Sequence, residues 1–161
     1  MTNTLEELTE LIIEWGAKKG IYDNSSYEYQ LNKTLEEVTE LHKAILDNDV
    51  DQIKDAIGDI YVTLVMASQF NKGIKDALKY KIDTKLTYKS KKTAVMLVLY
   101  NLFEMLHYNT TNTLNTHNII ETIAFIGRDL HIEFTDCVEH AYNIISKRTG
   151  KMTNGQFIKD E

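Results

Sequence analysis

Lys33-Thr34-Leu35-Glu36-Glu37-Val38-Thr39-Glu40-Leu41 is followed, after the break Asn48-Asp49-Val50, by Lys54-Asp55-Ala56-Ile57-Gly58-Asp59-Ile60. Both runs space their carboxylates as helices do. Glu37 and Glu40 are i,i+3 neighbours, Glu36 and Glu40 are i,i+4 neighbours, and so are Asp55 and Asp59. A break this short obliges the two helices to lie antiparallel, so the two acidic groups can face one another across one helix pair. Carboxylates crowded in this way repel each other. A hard divalent cation removes that penalty, and Mg²⁺ prefers oxygen ligands.

The bland alternative is that an acidic helix face is a solvated face. On the helix predicted over Tyr29 to Asp47, Glu36 and Glu40 lie opposite a stripe of Leu31, Leu35, Val38, His42 and Ile45, and only Glu37 borders it. The next helix, predicted over Asp51 to Phe70, is more telling. Asp55 and Asp59 share a face with Val62 and Met66, and Ile57 to Ala67 is apolar nearly all round, which marks a central helix. Its two carboxylates therefore sit at the mouth of a core. Gly58 beside them permits close approach by a ligand or by a neighbouring helix.

Apolar residues recur at helical spacing through most of the 161 residues. A first helix is expected over Thr4 to Lys18, with Thr4 and Glu7 as a capping box and Gly16 and Gly20 at its exit. Ile21 to Tyr29 reads as a loop. Lys72 to Lys92 holds eight lysines and reads as a weak helix followed by a solvated connector. Further helices are expected over Ser90 to His107, Asn118 to Leu130 and Thr135 to Arg148, with Asn109 to Thr116 as a loop and a short tail after Gly150. The chain contains no proline, as suits a mostly helical protein. The single cysteine, Cys137, fits a reducing compartment. No signal peptide and no membrane span is read. The net charge of −6 argues against nucleic acid as a partner.

The acidic runs resemble the signature of the MazG-like nucleotide pyrophosphohydrolases, in particular small versions from phages of Gram-positive bacteria. That signature is Glu-Glu-x-x-Glu, a spacer, then Glu-x-x-Asp. Glu36, Glu37 and Glu40 match the first half and Asp59 the second. Lys33 and Trp15 also fit the family's usual run, and Ala141 to Gly155 resembles the ending of phage members. The chain departs at Ala56, where the family has Glu, and Asp55 is the adjacent carboxylate. The resemblance implies an all-α antiparallel bundle of five to six helices in a single domain, 1–161, completed by oligomerisation as a homodimer or tetramer. Segment 73–123 is not placed by the resemblance and reads as an insertion.

The activity implied is Mg²⁺-dependent hydrolysis of nucleoside triphosphates to monophosphate and pyrophosphate in the cytoplasm, the host's if the gene is a phage's, with Mn²⁺ as an alternative metal. Glu37, Glu40, Asp55 and Asp59 are the expected metal ligands. Glu36, Glu37, Glu40 and Asp59 form the expected catalytic set, with Glu36 first and Asp55 second as the carboxylate that orients water. Trp15, Lys33, Asn143, Lys147, Arg148 and Lys151 are expected at the substrate, with Tyr22 and Tyr27 as further candidates to stack on a base.

Three other readings compete. A di-metal carboxylate bundle needs Glu-x-x-His twice, and Glu104-Met105-Leu106-His107 is a single instance; the histidines read as surface or satisfied core groups. A Cys137–His140 nucleophile lacks an orienting motif around it. A relative that binds without turnover is the non-enzymatic alternative, hinted at by Ala56.

Overall fold

The computed structural model describes residues 2–108 and 112–161. The helical reading holds. Helix α1 (Leu5–Lys18) begins in the expected capping box: the Glu7 amide donates to Thr4 Oγ1 at 3.2 Å, and the Thr4 amide donates to Glu7 Oε2 at 2.7 Å. Gly16 is not at the exit. It is buried inside the helix, where a Cβ would collide with the Tyr22 hydroxyl and Met66 sulfur. The exit is Gly20, in the left-handed region at φ 71°. The loop expected over 21–29 is mostly helix: α2 (Ile21–Asn24) is a single turn, and α3 (Tyr27–Asp47) starts earlier than its apolar pattern suggested, capped by Ser26.

Asn48, at φ 53°, ends α3, and the Asp49 side chain caps α4 (Val50–Ser68). The two helices form the antiparallel pair anticipated from the sequence, the most extensive helix contact in the molecule. The buried stripe of α3 is Leu31, Thr34, Val38, Leu41, Ala44 and Ile45; Leu35 and His42 point outward instead. The fully buried Thr34 fixes the register by hydrogen-bonding Thr63 of α4 at 2.9 Å.

Helix α5 (Lys72–Ala77) is short, as expected. The lysine-rich connector that follows is pinned by its backbone: the Asp83 amide donates to Glu121 Oε1, and Arg128 donates to the Leu86 carbonyl. Helices α6 (Lys91–Tyr108), α7 (Thr113–Asp129) and α8 (Phe134–Ile145) complete the bundle. The expected loop at Asn109 to Thr116 falls partly on 109–111, outside the described residues; its Thr113 to Thr116 is already the start of α7, earlier than the helix expected from Asn118.

One buried cluster joins residues from α1 to α8. Helix α4 runs through its middle, covered within the chain by α1, α3, α5, α7 and α8. The segment after Gly150 is not a plain tail. It forms a hairpin of β1 (Gly150–Thr153) and β2 (Gln156–Lys159). Its turn residues Asn154 and Gly155 both have positive φ, the combination a two-residue type I′ turn requires. No described helix is long and apolar enough to cross a membrane.

Candidate active site

The α3–α4 register sets Glu37 and Glu40 against Asp59 and Asp55, and Gln30 and Lys33 against Thr63 and Met66 further along. These side chains line a cleft of about 310 Å³, closed on its other sides by Trp15, Arg148 and the hairpin residues Gly155, Gln156, Phe157 and Lys159. The cleft is polarised along its length. One end is acidic and the other is aromatic.

Electrostatics mark the acidic end as a place where negative charge is crowded out of water. Burial pushes the Glu37 carboxyl from the usual 4.5 to about 7, with Asp59 and Glu40 adding repulsion. Burial, followed by repulsion from Asp55, raises Asp59 from 3.8 to about 6, against the pull of Arg148 and Lys159. Both cations therefore stand near Asp59. Such a site is stabilised by a bound cation or by protons.

Of the residues expected from the sequence, Trp15, Lys33, Glu37, Glu40, Asp55, Asp59 and Arg148 share this cleft. Glu36 does not line it; it is exposed and paired with Lys33 at 2.6 Å. Asn143, Lys147 and Lys151 are exposed and lie off the cleft wall. Tyr22 donates to the Ile13 carbonyl and Tyr27 to that of Met105, so neither ring covers the cleft; Tyr29 does. Asp55 also lies on the wall, with His140 Nε2 3.3 Å from its Oδ1. Ala56, at the position of the family's Glu, is buried. Gly58 admits a neighbouring helix rather than a ligand: a Cβ there would collide with the Cys137 carbonyl of α8.

The donor set suits a hard divalent cation. As the side chains lie, no three Asp, Glu, His or Cys groups among the described residues stand close enough to share one ion, so binding it requires the carboxylates to turn towards each other within the cleft. The rival chemistries find less support. Burial pushes the Cys137 thiol up to about 12, which leaves it protonated and unreactive. Glu104 accepts hydrogen bonds from Tyr100 and Asn115, while His107 stacks on Phe103.

A helical bundle with carboxylates facing across an antiparallel helix pair is the class that fold and site define. Within that class, residues 25–92 match the family model of the MazG nucleotide pyrophosphohydrolase domain. The matched segment contains every acidic residue of the cleft; Trp15, Arg148 and the hairpin lie outside it. An uncharacterized 18.2 kDa protein from the rep-hol intergenic region of Haemophilus phage HP1 (strain HP1c1) is 33% identical over 67 residues, a span of 42% of this chain and 41% of that protein. No solved structure gives a significant match.

Proposed function

We propose that the chain hydrolyses nucleoside triphosphates between the α and β phosphates, with Mg²⁺ or Mn²⁺ as its metal. The observation that carries this reading is the polarised cleft: a crowded acidic end, whose carboxylates all lie in the segment that matches the MazG family model, beside two cations and continuous with an aromatic end. Phosphoryl transfer asks a protein chiefly for positioning and charge neutralisation. Glu37, Glu40 and Asp59 are the metal-holding carboxylates, and the metal supplies charge neutralisation at the phosphate oxygens. With Glu36 off the cleft wall, orientation of the attacking water falls to Asp55, beside which His140 stands. Arg148, Lys33 and Lys159 neutralise phosphate charge.

A second copy of the chain is the proposed partner, seated on α6. Met96, Tyr100, Phe103 and His107 recur at i, i+4, i+7 and i+11 on the exposed face of that helix.

Protein stripped with a chelator and given deoxynucleoside triphosphates tests the reaction. Pyrophosphate release should return on adding Mg²⁺ and stay absent in Asp59→Asn. Release that needs no metal, or that survives Asp59→Asn, contradicts the proposal.

A further inference from the structure

The acidic end of the cleft accounts for phosphate chemistry, but not for the other end. There Trp15 of α1 and Phe157 of β2 meet edge to face, with ring centroids 5.5 Å apart and planes at 71°. Tyr29 extends the wall. Gly155 lies against its ring at φ 80°, and a Cβ there would come within 2.8 Å of the Tyr29 Cε2. Gln30 lines the same end and is only 8% exposed. Its Nε2 donates to Ser25 Oγ at 2.9 Å, and its amide carbonyl accepts no hydrogen bond among the described residues. A largely buried amide on the wall of a cleft lined by rings, beside a Trp15 Nε1 that is buried without a hydrogen-bond partner among the described residues, is suited to a flat ligand with polar edges.

The hairpin's seat consists of ring and apolar contacts. Phe157 rests on Trp15 with Lys19 Nζ 6.0 Å from its centroid, Met152 packs on the core, and the Asn154-Gly155 turn sits on Tyr29. The hairpin thus docks largely on the walls of the cleft, and it brings Lys159 to the acidic end at the same time. Gln30 and Glu40 are ten residues apart on one helix, so the two ends are separated by about 15 Å of helix rise. That separation leaves room for a polyphosphate at one end and a heterocycle at the other.

We propose that the C-terminal hairpin is the nucleobase clamp of this cleft: the base lies across the wall formed by Phe157 and Trp15, with Gln30 facing its polar edge. The two rings already touch, so the base covers them rather than entering between them. The clamp rests on the nucleotide reading of the cleft.

Trp15 is the chain's single tryptophan, so its fluorescence reports directly on this end. The test titrates the full chain in Mg²⁺ with a nucleoside monophosphate, and with inorganic pyrophosphate as the base-free probe. The monophosphate should quench Trp15, and pyrophosphate should not. Phe157→Ala should weaken monophosphate binding about tenfold, within the range expected for one lost base–aromatic stack, and leave pyrophosphate inhibition unchanged. Phe157→Leu, which keeps an apolar seat, should show the same loss, and Phe157→Tyr should restore affinity. Gln30→Met should flatten the differences in KM among the four bases.

The clamp is overturned by Phe157→Ala of unchanged melting temperature that binds the monophosphate as the wild type does. It is also overturned if Phe157→Leu retains full affinity, or if pyrophosphate and monophosphate weaken equally. Quenching that depends on Phe157 but comes without turnover supports the clamp and removes the hydrolase. Turnover indifferent to Phe157 does the reverse.

Discussion

Glu37 and Asp59 hold the tension on which this site depends. Both carboxyls are raised, to about 7 and about 6, by burial and by their acidic neighbours. The folded protein therefore binds more protons than the unfolded chain between about pH 4 and 7, and stability falls as pH rises through that window. Metal-free protein should lose on the order of 1 kcal/mol per group after solvent screening, about 2–4 °C in Tm each, between pH 5 and pH 8. Mg²⁺ should restore the loss at pH 8 and add little at pH 5. Glu37→Gln should flatten the metal-free profile and abolish turnover; a Tm that climbs with pH in the wild type, or an unchanged slope in Glu37→Gln, contradicts the assignment. At this scale the spacing of Glu37, Glu40, Asp55 and Asp59 in the sequence was enough to place them together. Lys147 and Lys151 were not separable from Arg148 in the same way. Helix α8 ends at Ile145, so the residues after it no longer follow a helical face, and only Arg148 turns to the cleft.

Among the elements, the contact of α4 with α8 carries the site's geometry. Gly58 is one residue from Asp59, and its missing side chain lets the Cys137 backbone of α8 approach. Gly58→Ala should force the two helices apart and cost about 1–3 kcal/mol, a Tm drop of several degrees in thermal unfolding, together with reduced activity because α8 leads into Arg148. A variant as stable and active as the wild type would show that the contact does not position the site. The hairpin was the element least visible beforehand, although its signal was present. Asn154-Gly155 is the dipeptide that a type I′ turn favours, but the flanking strands are four residues each and carry too little alternation to stand out from a tail. The single turn α2 was hidden for a related reason: Ile21 is its only buried residue, so no helical period shows.

At the scale of the whole molecule, the core is continuous and α4 is covered by the chain itself. Several exposed apolar side chains line up on one face of α6, where Met96 is 62% exposed and Phe103 is 55% exposed. A helix apolar all round reads from sequence as central, but the pattern cannot tell which neighbour covers each side; within the chain α1, α3, α5, α7 and α8 cover α4. Sedimentation of the wild type should show a dimer, and Met96→Lys with Phe103→Lys should give a folded monomer; a wild-type monomer would remove α6 as an interface. The central claim is tested most directly by hydrolysing a deoxynucleoside triphosphate with Mg²⁺ in ¹⁸O-water and locating the label by mass spectrometry. Attack at the α phosphorus in the acidic cleft predicts the label in the nucleoside monophosphate and unlabelled pyrophosphate, with neither product formed by Glu37→Gln. Label in orthophosphate beside a diphosphate, or no product at all, would contradict it.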